Sequence, residues 1–156
     1  MEDTVHRATV EEAQVVARLL HDFNTEYDTA TPGVDAIAGR LRSLLAEDTT
    51  FALLGGDPPC AVALVTLRTN VWYDGPVALL DELYVAPEQR GRGLGSALID
   101  LLVHECRARD VALIEVNVDE GDVDALRFYD RHGLRLVQPD TGERAFYVSR
   151  ELETSD

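Results

Sequence analysis

From Leu83 to Ser96 the chain reads Leu-Tyr-Val-Ala-Pro-Glu-Gln-Arg-Gly-Arg-Gly-Leu-Gly-Ser. An apolar strand-like run stops at Pro87, glycines follow at positions 91, 93 and 95, and Leu94, Ala97, Leu98, Leu101 and Leu102 then recur with helical period. A strand that enters a helix through such a loop has few structural solutions. Glycine lets the backbone approach a ligand closely and take positive φ, and the first turn of a helix offers N–H groups and a positive dipole end. The segment predicts a pyrophosphate site, with Arg90 and Arg92 adding local positive charge. The dinucleotide pattern GxGxxG would start at Gly91 but meets Ser96 in its last place, and the unit lies mid-chain, which argues against a Rossmann domain.

The surrounding pattern supplies the other elements. A short strand near Thr4–Arg7 precedes Thr9-Val10-Glu11-Glu12, a capping box, and a helix whose apolar stripe is Ala13, Val16, Ala17, Leu20 and Phe23. A second helix follows Pro32-Gly33. Apolar runs at Phe51–Leu54 and Ala61–Leu67, separated by Gly55–Pro59, read as an antiparallel hairpin that Val77–Val85 extends. Beyond the glycine loop come a helix, a β-branched run Val111–Val118 parallel to the strand before the loop, a helix over Val123–Arg131 ending at Gly133, and strands at Leu134–Val137 and Arg144–Val148. The order β-α-α-β-β-β-α-β-α-β-β predicts an α/β fold with a mixed sheet and helices on its faces.

At 156 residues the chain suits a single domain, 1–156, with Glu151–Asp156 as a frayed acidic tail. Its 14 basic residues are all Arg, against 29 acidic ones, giving a net charge of −15. Such a field disfavours nucleic acid as a partner and favours a cationic small molecule. With no Lys, a Walker-type phosphate lysine and Schiff-base chemistry are excluded. Cys60 and Cys106 form no CxxC or metal-spaced cluster and read as small buried residues, and no metal is expected. His6, His21, His104 and His132 fall in separate elements without a triad pattern. The start Met1-Glu2-Asp3-Thr4 shows no leader pattern and no run of 18 apolar residues occurs, so a cytoplasmic location without membrane contact is expected.

Arg90-Gly91-Arg92-Gly93-Leu94-Gly95 resembles the Arg/Gln-x-x-Gly-x-Gly/Ala phosphate loop of the GNAT superfamily of acetyl-CoA-dependent N-acetyltransferases. Leu83-Tyr84-Val85-Ala86-Pro87 before it, and Ala125–Leu134, similar to the family's Ala-x-x-Phe-Tyr-x-x-x-Gly-Phe segment, extend the likeness over nearly the whole chain. The resemblance implies that acetyl-CoA is the cosubstrate. By the same resemblance, the backbone at Leu83 and Val85 pairs with the pantetheine arm, and Arg90, Gly91, Arg92, Gly93, Gly95 and Ser96 hold the pyrophosphate. Tyr129 corresponds to the tyrosine that protonates the departing thiolate. Where the family often has an Asn that contacts CoA, this chain has Asp122, which caps a helix but donates no amide hydrogen bond when ionised. Asn117 either takes over that contact or is structural.

The attacking amine needs a base. Asp81 and Glu82, just upstream of Leu83, are the candidates. The stretch is similar to Leu-Glu-Asp-Leu-Tyr-Val of diamine and polyamine acetyltransferases with the two acids exchanged, and strand alternation predicts that they face opposite sides, with Glu82 preferred. A Val85 N–H would stabilise the oxyanion. The resemblance places the acceptor near the first helices and the loop before the pantetheine strand. There Glu26, Tyr27 and Asp28, then Trp72, Tyr73 and Asp74, suit an ammonium group, or else the aromatics pack on the domain with the acids in solvent. The leading expectation is acetyl transfer to a primary amine of a small cationic acceptor by direct attack. Protein or peptide N-acetylation and a non-catalytic acyl-CoA-binding regulatory domain are the alternatives. Relatives commonly form homodimers, but nothing in the sequence fixes the oligomeric state.

Overall fold

A computed structural model describes residues 4–154; Met1–Asp3 and, of the expected acidic tail, Ser155 and Asp156 lie outside the described residues. Two compact units result, Met1–Val116 and Asn117–Asp156.

In the first unit, β1 (Val5–Arg7) leads through a 3-10 turn at Val10–Glu12 into α1 (Ala13–Glu26), followed by α2 (Val34–Leu45). The turn carries the expected capping box, with Thr9 N–H donating to Glu12 Oε1 at 3.1 Å. Strands β2 (Thr50–Gly55), β3 (Ala61–Arg68) and β4 (Val77–Val85) follow, then α3 (Leu94–Ala108) and β5 (Leu113–Val116). The sheet order is β1-β2-β3-β4-β5, antiparallel except for the parallel β4–β5 pair that the α3 crossover requires.

Helices cover both faces of this sheet, which is why β2 reads as an unbroken apolar run and is buried along its full length. Ala52, Leu54, Val62 and Tyr84 form one core with Ala13, Val16, Ala17 and Leu19 of α1 and Ala38 and Leu41 of α2. The alternate positions meet α3: a methyl group at Gly55 would lie 3.5 Å from both Ala61 Cβ and Leu94 Cδ2. Leu94, Leu98, Ile99, Leu102 and Cys106 are the buried side of α3, so the thiol of Cys106 sits in apolar surroundings that push its pKa up to about 11. Cys60, expected to be buried, is only half-buried.

In the second unit α4 (Val123–Arg131) starts where Asp122 Oδ1 accepts from Ala125 N–H at 3.1 Å and stops before Gly133, whose φ is +81°. The strands expected at Leu134–Val137 and Arg144–Val148 do not form among the described residues. A single antiparallel bridge, Val137 to Arg144, closes a turn with Gln138 N–H on Glu143 C=O at 2.8 Å. Phe146, Tyr147 and Val148 are exposed. Apolar, β-favouring residues mark a segment able to pair, but a ladder needs a neighbouring edge, which composition does not specify. Residues 151–154 carry no regular structure, and among the described residues no helix is long and apolar enough to cross a membrane.

Gly75, in the β3–β4 loop, lies so close to the turn after α3 that a Cβ there would collide with the Asp110 carbonyl. Gly75→Ala should therefore destabilise the fold by about 2 kcal/mol, read as a lower midpoint in urea unfolding at unchanged slope.

Candidate active site

Strand β4 is paired on both sides only over its first half. The β4–β5 ladder runs from Val77↔Leu113 to Leu80↔Val116 and ends there. On the other side Ala86 N–H donates to Cys60 C=O at 2.8 Å, which sets the phase of the β3–β4 ladder: the amides of Glu82, Tyr84 and Ala86 point at β3, and those of Leu83 and Val85 point away from it. Leu83 and Val85 thus present backbone groups along an edge that β5 does not cover.

A β-bulge sits at this point. Leu64 opposes Glu82 and the next residue, Val65, opposes Leu80, so Asp81 is the extra residue on β4. Glu82 and Tyr84 stand opposite Leu64 and Val62, on the α1/α2 face. Thr66 shares that face by alternation along β3, and its hydroxyl donates to Asp81 Oδ2. Both carboxylates therefore come to one face, which corrects the expectation that alternation would separate them. Their environments differ: Asp81 is exposed, whereas Glu82 is half-buried. Burial, then the neighbouring charge of Asp81, raises the Glu82 pKa above its ordinary 4.5.

The loop after β4 passes through a 3-10 turn at Pro87–Gln89 and reaches α3 by way of Gly91 and Gly93, whose φ values of +78° and +86° call for glycine. The first intrahelical bond is Ala97 N–H to Gly93 C=O at 2.9 Å, so Leu94, Gly95 and Ser96 form the amide-bearing first turn. Arg92 is exposed and donates to Gln89 Oε1 at 3.1 Å. Arg90, expected to face pyrophosphate, is engaged elsewhere: its Nε donates to Val85 C=O at 2.9 Å and its Nη2 to both oxygens of Glu26, each at 2.9 Å. That ion pair outweighs partial desolvation and raises the Arg90 pKa. Glu26 falls in a stretch the sequence offers as acceptor-binding, but nothing local in the sequence links it to a residue 64 positions away.

The proposed acceptor residues are not gathered together. Tyr27 follows α1 and packs edge-on against Phe23, which stacks on Tyr84 at 5.1 Å, so Tyr27 belongs to the C-terminal end of β4. Trp72, Tyr73 and Asp74 belong to the other end, where Asn70 Oδ1 accepts from Trp72 and Tyr73 N–H, each at 2.8 Å. Tyr73 and Asp74 line an open cavity there with Arg109 and Asp110. Pro76 to Tyr84 is eight residues of strand, on the order of 26 Å, too far for a small acceptor to touch both groups. In the second unit, Tyr129 is buried on α4 with its ring 5.4 Å from Phe128, Asn117 is exposed, and the Asp122 carboxylate serves as the helix cap. Among the described residues no group of His, Cys, Asp and Glu is arranged to hold a metal.

Residues 15–134 match the profile of the Acetyltransferase (GNAT) family. The chain belongs to the GNAT acetyltransferases. A crystal structure of a proposed acetyltransferase from Arthrobacter sp. FB24 is 49% identical, with 97% of each chain covered and a TM-score of 0.90. An aminoglycoside acetyltransferase from an uncultured soil metagenomic sample shares the fold at 16% identity, TM-score 0.80, again over 97% of each chain. An uncharacterized N-acetyltransferase of Methanocaldococcus jannaschii is 37% identical over 57 residues, 36% of this chain and a quarter of that protein's length.

GNAT enzymes generally use acetyl-CoA, and the first unit fits that ligand. Gly91 has no atom within 4 Å of where a Cβ would stand, the helix start offers amides for phosphate, and the β4 edge at Leu83 and Val85 offers peptide groups for an amide-bearing arm. Asp81 and Glu82 stand beside that edge.

A carboxyl whose folded pKa is raised favours the folded state most below its ordinary value and loses that contribution as pH rises through the raised value. Glu82→Gln should therefore melt above the unmodified protein at pH 7, and the gap should close below pH 4.5, as read by thermal denaturation across pH.

Proposed function

We propose that the chain transfers an acetyl group from acetyl-CoA to a primary amine of a small cationic acceptor, with Glu82 as the base. The observation that carries the reading is the half-buried Glu82 carboxylate, its pKa raised, beside the strand edge that suits the pantetheine arm. An ammonium group is not a nucleophile, and a carboxylate with a raised pKa is a better proton acceptor for it. Asp22 of α1 carries negative charge close to Tyr84, on the same face as Glu82, and Asp81 adds to it, whereas the charge of Glu26 is taken up by Arg90. Such a field concentrates a cation and disfavours a neutral or anionic acceptor. The fold likeness to aminoglycoside acetyltransferases, whose names specify an amine-rich acceptor, agrees with this class.

Bound acetyl-CoA supplies a thioester, an acetyl group activated toward amines. Glu82 takes the proton the amine must lose, directly or through one water. The Val85 N–H, aimed away from β3, donates to the carbonyl oxygen as negative charge develops on it. For Tyr129 the proposed role, a proton for the departing thiolate, rests on the likeness of Ala125–Leu134 to the family segment. Of the expected acceptor residues, Tyr27 is retained in this proposal and Trp72, Tyr73 and Asp74 are not.

The test is thiol release from acetyl-CoA against polyamines, aminoglycosides, amino acids and peptides. Turnover is expected with polycationic amines and should fall by about two orders of magnitude or more in Glu82→Gln. Asp81→Asn should retain turnover and move the acid limb of the kcat/KM profile to lower pH, because removing the neighbouring charge relaxes the Glu82 pKa. Turnover confined to peptides, or an unaltered rate in Glu82→Gln, would overturn the acceptor class and the base respectively.

A further inference from the structure

We propose that Glu26 is a positioning residue for the coenzyme: it holds Arg90 across the end of β4, so that Arg90 shapes the pantetheine edge and the phosphate loop instead of binding phosphate itself. The proposal rests on the reading that this edge and loop take coenzyme A.

Two guanidinium nitrogens of Arg90 are engaged, Nε with Val85 C=O and Nη2 with both oxygens of Glu26. The guanidinium also lies over the ring of Tyr84, 5.8 Å from its centroid. The peptide group joining Val85 to Ala86 is thereby pinned on two sides, its carbonyl by Arg90 and its N–H by Cys60 C=O. This peptide is the last of the open edge and the first of the turn toward Gly91. With the Val85 carbonyl engaged, Leu83 and the Val85 N–H are what the edge offers to a ligand. Glu26 closes the arrangement from the end of α1, the helix whose next residue is Tyr27. The acceptor side and the coenzyme loop are therefore joined through one ion pair.

The proposal makes a prediction opposite in sign to simple electrostatics. Coenzyme A is a polyanion, so removing a carboxylate near its loop should tighten binding on charge alone. If Glu26 acts by holding Arg90, Glu26→Gln should instead weaken it.

Calorimetric titration of the full chain with coenzyme A tests this. Glu26→Gln and Arg90→Gln are each expected to raise Kd about tenfold, and the double variant should bind no worse than the weaker single one, since both remove one linkage. Arg90→Lys keeps the charge but lacks the planar fork that spans the carbonyl and both carboxylate oxygens. It should bind as poorly as Arg90→Gln, and it tests the proposal even if Glu26→Gln does not fold. Tighter or unchanged binding in Glu26→Gln, additive losses in the double variant, or full affinity in Arg90→Lys would each overturn the positioning role. Failure of the unmodified protein to bind coenzyme A would instead overturn the functional reading on which it rests.

Discussion

Peptide groups on an exposed strand edge seek partners, and the parallel ladder between β4 and β5 stops at Leu80 while β4 runs on to Val85. That interrupted pairing organises the candidate site. It leaves the Leu83 and Val85 amides pointing away from β3, and it coincides with the bulge at Asp81, which bends the strand and turns the acidic pair. A fully zipped sheet would have offered neither an edge for an extended ligand nor a carboxylate beside it.

The same chain segment solves two electrostatic problems. Under the proposed function an acidic protein holds a polyanionic coenzyme and cannot rely on its net field, which is repulsive at −15. In that reading local backbone dipoles supply the attraction: the glycine loop and the first turn of α3 present amides over a short distance where the general field matters less. On the neighbouring α1/α2 face the acidic character is retained, as Asp22, Asp81 and Glu82 show. Arg90 sits at the boundary between the two regions and is neutralised by Glu26.

Features set by short-range rules were legible in the sequence. The capping box at Thr9 and Glu12, the α1 stripe, the hairpin, the bounds of β4 and α4, and the glycine loop all depend on residues within a few positions of each other. What depends on registration between distant segments was not. The bulge arises from how β3 and β4 align, and period-two reasoning sends Asp81 and Glu82 to opposite faces because it assumes equal residue counts on both strands. The Arg90–Glu26 pair joins α1 to a loop 64 residues later, a link that no local pattern records. Trp72, Tyr73 and Asp74 have a composition suited to an ammonium group, but chain direction puts their loop at the far end of β4 from Tyr84. The two C-terminal strands show the same limit, since apolar character at Arg144–Val148 says nothing of the edge required.

The extra residue in β4 also acts as a change of reading frame between the two layers of the first unit. Ala78 and Leu80 stand opposite Leu67 and Val65, on the α3 side, while Glu82 and Tyr84, also even-numbered, stand opposite Leu64 and Val62 on the α1/α2 side. The even-numbered residues of β4 thus serve a different layer before and after Asp81. Moving the extra residue past Glu82 without altering any letter would return that carboxylate to the α3 layer. The chemistry assigned to Glu82 is consequently encoded by a count of residues as much as by the acid itself.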